Sequence, residues 1–161
     1  MSVQDIDRGW KRIVNRCAIK RSYVKIGVQQ GETRKDEEGE TSSMVVVAAV
    51  NEFGAPSRNI PERPFMRTTF DTKKEQLATM QRALLSKLVT GEMYIEQALG
   101  LLGLEYTRQV QNTIDKWTTP PNAPSTQKAK GAKVGPGVMV NNPLVDTSQL
   151  IQSIRHVVVV K

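Results

Sequence analysis

The segment NEFGAPSRNIPERPFMRTTFD, residues 51–71, mixes chain-stiffening residues with apolar ones. Three prolines and one glycine fall within a dozen residues of it. Because proline fixes its own φ and restricts the residue before it, Pro61 and Pro64 are expected to hold the entry to the next helix at a fixed angle. A solvated linker would not need apolar residues between its prolines, because such side chains are favoured where they can be buried. The segment is therefore predicted to be a rigid, packed connector.

Four apolar side chains anchor this connector: Phe53, Ile60, Phe65 and Met66. The two phenylalanines are expected to be buried on either side of the kink. Glu52 and Arg63 carry opposite charges and are expected to be free to pair with each other.

Two long amphipathic helices are predicted after the connector. Between residues 65 and 89 the apolar positions follow a helical period: Met66, Phe70, Leu77, Met80, Leu84 and Leu88. The same period recurs between residues 92 and 117: Ile95, Leu99, Leu102, Tyr106, Val110, Ile114 and Trp117. Thr90 and Gly91 separate the two stretches, so a tight turn is expected to join them into an antiparallel helical hairpin.

The N-terminal part is predicted to contain a helix followed by strands. Residues 3–16 place apolar side chains at helical spacing, with acids near the start and arginines near the end, as the helix dipole favours. Residues 22–29 alternate as a strand with one buried face does. Residues 44–54 begin strand-like and end helix-like. The valine-rich half favours a strand over 44–50, while Ala48 to Phe53 are open to a helix that stops at Gly54.

Residues 31–43 are polar throughout and contain five acids: Glu32, Asp36, Glu37, Glu38 and Glu40. The segment is expected to be an exposed loop or the tip of a hairpin. An acidic docking surface, or a lining that repels DNA, is the functional alternative.

The C-terminal part begins with a long basic segment. Residues 118–145 contain several prolines, glycines and lysines, no acid occurs from Lys116 to Val145, and an extended loop is predicted. Asp146 is expected to N-cap a short helix. The valine-rich run from His156 to Lys161 is predicted to be a strand that pairs with residues 22–29 and 44–50.

The predicted fold class is α+β, with a small antiparallel or mixed β-sheet packed against the long antiparallel helical hairpin. A single domain over residues 1–161 is expected. Its parts are an N-terminal helix and strand (1–30), the acidic loop (31–43), a strand, the proline-rich kink and the hairpin (44–117), the extended basic loop (118–145), and a short helix with the terminal strand (146–161).

The composition argues against an enzyme, a metal site and a membrane-spanning segment. Cys17 and His156 are the only cysteine and histidine, so neither a disulfide framework nor a cysteine- or histidine-rich metal site is expected. A glycine-rich phosphate cradle is missing, and no apolar run approaches the roughly 20 residues of a membrane span. No enzyme activity, cofactor, metal or membrane contact is therefore predicted. Hydrophobic residues make up 39% and aromatic residues 5%, which predicts a thin core that neighbouring subunits help to cover.

The net charge of +7 keeps DNA open as a partner. The first 25 residues contain seven basic side chains and two acidic ones, and the late loop adds Lys128, Lys130 and Lys133. Aromatic residues are not interleaved for base stacking, and a helix-turn-helix is not evident. Non-specific contact with DNA is expected, and a DNA-binding accessory protein is an alternative of another class. A solvated basic surface that aids solubility is the simpler alternative.

Four short motifs carry a resemblance to a known family: Asn51-Glu52-Phe53-Gly54, Pro61-Glu62-Arg63-Pro64-Phe65, Pro121-Asn122-Ala123-Pro124-Ser125-Thr126, and Pro143-Leu144-Val145-Asp146-Thr147-Ser148-Gln149-Leu150. In this order they resemble the tail-completion and virion-morphogenesis proteins of tailed bacteriophages, a family of neck, head–tail joining and minor tail proteins. The resemblance spans roughly residues 44–155. Ser148 departs from it, because the family has glycine there.

The resemblance implies a structural virion protein at the head–tail junction, assembled in the host cytoplasm. Identical subunits would form a ring, six- or twelve-fold, between the portal or head-completion proteins and the tail tube, terminator or sheath proteins. DNA would pass through with transient, non-specific contact. A neck protein that joins head to tail and a tail terminator that caps the tube both remain open.

Subunit and partner contacts are expected on the connector and on the late loop. The candidate interface residues are Asn51, Glu52, Phe53, Gly54, Ile60, Pro61, Arg63, Pro64, Phe65, Pro121, Asn122, Pro124, Thr126, Lys128, Pro143, Leu144, Asp146, Thr147 and Leu150. The alternative is that these prolines organise only the core of a single chain.

Overall fold

The computed structural model describes residues 9–17, 22–29, 33–35, 41–133, 142–144 and 148–160. The start of the predicted N-terminal helix (3–8), all five acids of the 31–43 segment, Asp146 and Thr147 lie outside the described residues.

The elements follow one another as α1 (Trp10–Cys17), β1 (Tyr23–Val28), β2 (Thr33–Lys35), β3 (Thr41–Ser43), α2 (Met44–Phe53), a 3-10 turn (Pro56–Arg58), α3 (Phe65–Thr90), α4 (Ile95–Asp115), α5 (Pro124–Lys133), α6 (Gln149–Ser153) and β4 (Ile154–Val159). The α+β class and the small antiparallel sheet against long helices are confirmed.

Helices α3 and α4 form the predicted antiparallel hairpin. Helix α3 ends because Gly91 adopts a left-handed conformation with φ 84°, and its N–H donates to the carbonyl oxygens of Lys87 (3.1 Å) and Leu88 (3.2 Å). Helix α4 starts where the side-chain carbonyl of Gln97 accepts the N–H of Tyr94 at 3.0 Å. The turn between the helices is therefore closed at both ends by hydrogen bonds.

The sheet that packs on α4 pairs β1 with β4, antiparallel, from Tyr23 opposite Val159 to Val28 opposite Ile154. Close approach of sheet and helix requires Gly103 of α4, because a Cβ there would lie 2.7 Å from side-chain atoms of both Val24 and His156. The pairing of the terminal strand with residues 22–29 is thus confirmed. Strands β2 and β3 form a separate two-stranded hairpin, which agrees with the hairpin alternative for the acidic segment.

The core lies where the start of α3, the end of α4 and the C-terminal elements meet. Its buried members are Met44, Phe65, Val110, Ile114, Leu144, Leu150 and Ile154. Phe65 is 1% exposed and Val110 and Ile114 are fully buried, so the start of one hairpin helix packs against the end of the other.

The strand predicted over residues 44–50 is wrong, because this segment is the first part of helix α2. Met44 is buried, Val47 and Ala48 pack against the core, and Glu52 is buried. These positions follow a helical spacing, so burial of one helical face overrides the strand preference of valine. Strand β4 consequently pairs with β1 and not with residues 44–50.

The basic segment is not an extended loop throughout. Helix α5 occupies Pro124–Lys133, with proline at its first position, where the missing N–H costs no hydrogen bond. The residues after Pro124 (STQKAKGAK) contain several good helix formers. The prolines and glycines around them favoured the prediction of a loop.

The short C-terminal helix and the last strand begin at other residues than predicted. Helix α6 begins at Gln149 with Ser148, not Asp146, as its N-cap residue, and β4 begins at Ile154, two residues before His156. Ser148 has a left-handed backbone with φ 59°, a conformation that glycine adopts without strain. Ser148, the one departure from the resemblance, therefore lies where the backbone conformation favours glycine.

Candidate functional site

The motif at the end of α2 and the motif at the start of α3 are joined by backbone hydrogen bonds. Ala55 and Ile60 exchange two of them, at 2.9 and 3.1 Å, around the 3-10 turn. The N–H of Arg63 donates to the carbonyl oxygen of Asn51 at 2.6 Å. The connector is therefore a closed loop whose two ends lie side by side. We call residues 51–67 together with Pro120 and Pro121 the Arg63 corner.

Arg63 lies at the centre of this corner and is only 6% exposed. Its guanidinium donates to the carbonyl oxygens of Pro120 (Nε, 3.2 Å) and Pro121 (Nη2, 3.3 Å) and to the side-chain oxygen of Asn51 (Nη1, 3.4 Å). Burial lowers the pKa of Arg63 from its usual value, but an arginine stays protonated. The first two motifs and the start of the third, which the whole hairpin separates from them in the sequence, thus meet at one side chain.

The expected pairing of Glu52 with Arg63 is wrong. The carboxylate of Glu52 instead accepts the backbone N–H groups of Met66 (2.9 Å) and Arg67 (3.1 Å) and the Nε of Arg67 (3.1 Å). It therefore satisfies free N–H groups in the first turn of α3, at the positive end of the helix dipole. Pro64 precedes this helix and has no side-chain group that could do so, which is why an acid from the end of α2 is needed.

Gly54 ends α2 with φ 73° and ψ 173°, a combination open almost only to glycine. A Cβ at this position would lie 2.9 Å from the backbone nitrogen of Glu62 and 3.1 Å from the carbonyl oxygen of Ile60. Both the backbone conformation and the close approach of the two motifs therefore require glycine.

The two phenylalanines of the connector differ in burial. Phe65 is buried in the core as predicted, but Phe53 is 68% exposed, so its predicted burial is wrong. The Phe53 ring lies 5.4 Å from the guanidinium carbon of Arg67, within cation–π distance. Since Glu52 holds Arg67 in place, the corner presents an exposed aromatic ring on a positioned support.

The fourth motif lies on the same end of the molecule, at the end of α4. The Asn142 side-chain amide donates to the carbonyl oxygens of Ile114 (2.9 Å) and Asp115 (2.5 Å), and its side-chain oxygen accepts the N–H of Leu144 (2.9 Å). The last carbonyl groups of α4 are thereby satisfied. Leu144 and Leu150 then enter the core beside Phe65.

The candidate interface residues divide by exposure. Buried inside the chain are Glu52, Arg63, Phe65, Leu144 and Leu150. Partly buried are Asn51, Gly54, Ile60, Pro64, Asn122 and Pro143. Exposed are Phe53, Pro61, Pro121, Pro124, Thr126 and Lys128. Asp146 and Thr147 lie outside the described residues.

Sequence reasoning missed two residues that hold the motifs in place: Arg67 in the Arg63 corner, and Asn142 next to the fourth motif at the end of α4. Arg67 stands one helical turn after Arg63 and three residues after Pro64, where a side chain can reach back to the preceding segment. Asn142 directly precedes Pro143, and asparagine before a turn commonly bonds to nearby backbone. Both signals, the spacing of Arg67 from Arg63 and the position of Asn142 before a proline, are visible in the sequence.

Within the described part of the chain, no group of three or more His, Cys, Asp or Glu side chains is arranged to hold a metal ion. None of the described helices is both long and apolar enough to cross a membrane. Comparisons with protein-family models, curated proteins and solved structures find no match to this chain.

Proposed function

We propose that this chain is a structural virion protein of a tailed phage that acts at the head–tail junction. It assembles as a ring between the portal or head-completion side and the tail, and DNA passes through the ring. Its work is binding, without catalysis.

The observation that carries this proposal is the convergence of the motifs on Arg63. The residues behind the resemblance form one structural unit: Arg63 binds Asn51 of the first motif, stands itself in the second, and binds Pro121 at the start of the third. A unit of this kind suits a subunit that must present the same rigid corner to each neighbour in a ring. This supports the resemblance with a physical role for its residues.

Exposure suggests which residues of the corner contact a neighbour. Glu52, Arg63 and Phe65 are buried and shape the corner from inside. Phe53 is exposed and supported by Arg67, which is the character of an aromatic anchor in protein interfaces. We therefore assign the partner contact to Phe53, together with Pro61 and Pro121, which are exposed residues of the second and third motifs.

Other apolar side chains also remain uncovered in the single chain. Phe70, Leu85 and Leu104 are 56%, 54% and 58% exposed. Large apolar areas on the surface of a single chain are characteristic of proteins that bury them against partners. This agrees with the thin core expected from composition.

Electron microscopy of lysates from a phage with a nonsense mutation in this gene tests the proposal. Filled heads beside separate tails of normal length are expected from loss of a joining protein. Overlong or ragged tails would instead assign the chain as the tail terminator. Intact, infectious particles would overturn any role at the head–tail junction and favour the DNA-binding accessory protein.

A further inference from the structure

A cleft of about 430 Å³ opens between the N-terminal part of α3 and the end of α4. It is lined by Thr68 and Lys73 from α3, Asn112 and Lys116 from the end of α4, and Thr118 and Thr119 from the segment that follows, among others. None of the described residues that line it is acidic. The cleft is therefore a concentration of hydrogen-bond donors with positive charge.

The donors at the rim are available to a ligand. Neither Lys73 nor Lys116 makes a hydrogen bond or a close ion pair with the rest of the described chain, and the same holds for the hydroxyl groups of Thr68, Thr118 and Thr119. The floor, in contrast, is internally bonded, since the Thr113 hydroxyl donates to the carbonyl oxygen of Gln109 at 3.0 Å.

Lys73 lies within electrostatic range of Glu105, whose carboxylate is held mainly by other neighbours. Arg108 donates to the Glu105 carboxylate at 2.8 and 3.0 Å, and Gln109 donates to it at 2.6 Å. These bonds lower the pKa of Glu105, with a smaller contribution from Lys73 at longer range. Arg108 and Gln109 are thus the main partners of Glu105, and the ammonium group of Lys73 is left to reach an anion in the cleft.

The threonine wall of the cleft is held by the Arg63 corner. Thr118 and Thr119 directly precede Pro120, whose carbonyl oxygen accepts from the buried guanidinium of Arg63. The backbone that carries the two threonines is therefore anchored next to them by the same arginine that joins the motifs.

We propose that this cleft binds a phosphate group, and that the phosphate belongs to the backbone of DNA. Ammonium, hydroxyl and side-chain amide groups are the donors that proteins use on backbone phosphates. The residues that line the cleft, Trp117 apart, are polar and include no glycine, so the lining contains no glycine-rich cradle of the kind that holds nucleotide phosphates. The phosphate site is argued from the cleft alone, and its assignment to DNA rests on the proposed function.

The test is fluorescence anisotropy of a labelled DNA duplex titrated with the purified full chain over a range of salt concentrations. The double variant Lys73→Gln/Lys116→Gln is compared with Lys74→Gln/Lys87→Gln, which removes the same charge from exposed positions of α3. We expect the cleft variant to weaken binding at least about tenfold at low salt and to flatten the dependence of log K on log salt by about 0.9, for one lost phosphate contact. We expect the control variant to lose much less affinity.

Equal losses for the two variants would mean that only net charge matters, and would overturn the proposal. Absence of duplex binding by the unmodified chain would overturn it as well. Circular dichroism melting curves of both variants verify that each is folded, so a loss of binding cannot be mistaken for unfolding.

Free phosphate is distinguished from DNA by the fluorescence of Trp117, which lines the cleft. Trp10→Phe leaves Trp117 as the only tryptophan, since the chain contains two. Duplex DNA is expected to change this fluorescence at lower concentration than inorganic phosphate or ATP. A response to phosphate or ATP without a response to DNA would overturn the assignment to DNA.

The binding assay and the lysate experiment fail independently. If the cleft does not bind DNA in the assay, the head–tail proposal is unaffected, because that proposal does not depend on this site. Intact particles from the nonsense mutant would remove the head–tail role and leave the phosphate site standing.

Discussion

The guanidinium of Arg63 lies 3.2 Å from the carbonyl oxygen of Pro120, 57 residues further along the chain. This bond, with the one to Pro121, ties the start of α3 to the segment that follows α4. The two ends of the helical hairpin are thus joined through one buried cation.

Replacement of Arg63 is expected to destabilise the chain strongly. Arg63→Met leaves the oxygens of Asn51, Pro120 and Pro121 without their donor and should lower the free energy of unfolding by about 2–4 kcal/mol. Arg63→Lys keeps the charge but cannot reproduce the forked geometry, and we expect a loss of about 1–2 kcal/mol. Urea unfolding measures both.

Arg58→Met is the matched control for Arg63, because Arg58 is exposed in the 3-10 turn of the same connector. We expect a change within about 0.5 kcal/mol for it. Similar losses for Arg58→Met and Arg63→Met would show that the clamp contributes nothing specific.

Gly54→Ala is expected to lower stability by more than about 2 kcal/mol, because alanine is strained at this backbone conformation and its Cβ would meet the backbone of Glu62. Gly100 offers the opposite case in the interior of α4, where an added Cβ meets nothing within 4 Å. Gly100→Ala should stabilise the chain by about 0.5–1 kcal/mol. Thermal melting of the two variants should therefore move in opposite directions, and a shift of the same sign would contradict the geometry.

The two phenylalanines of the connector provide a matched pair for stability. Phe65→Ala should cost about 3–5 kcal/mol, since its ring is 1% exposed in the core. Phe53→Ala should cost less than about 1 kcal/mol, because only its exposed contact with Arg67 is lost. Equal losses in chemical denaturation would mean that Phe53 is also part of the core.

Ser148→Gly is expected to stabilise the chain by about 0.5–1 kcal/mol, since it relieves a left-handed serine at the price of some chain entropy. Ser86→Gly, at an exposed position inside α3, should instead destabilise it by a similar amount, about 0.5–1 kcal/mol. Denaturant midpoints distinguish the two. A loss of stability for both would indicate that the serine side chain at 148 has a role of its own.

The helical hairpin and the pairing of β1 with β4 were predictable because they depend on local patterns: a helical period interrupted at Gly91, and alternating or valine-rich strands. Helix α2 was predictable only in its second half, which ends at Gly54, because the valines of its first half favour a strand in isolation and only burial of Met44 and Glu52 on one face shows the whole helix. Local propensity is a weak guide where tertiary burial decides.

The candidate site was predictable in its residues but not in its contacts. The sequence motifs identified Glu52, Arg63 and Phe65, yet Glu52 bonds to the start of α3 and Arg63 bonds to Pro120 and Pro121. Charge complementarity alone suggested that Glu52 and Arg63 pair with each other. The partner of Arg63 is separated from it by the whole hairpin, so only the folded chain reveals it.

The most direct test of the central claim is complementation of the nonsense-mutant phage with variants of this chain supplied in the host. We expect the unmodified chain and Tyr94→Ala, an exposed aromatic at the other end of the hairpin, to restore joined, infectious particles. Phe53→Ala should accumulate as folded protein but leave filled heads beside separate tails of normal length. Restoration of normal particles by Phe53→Ala would contradict the role of the Arg63 corner as the contact at the head–tail junction.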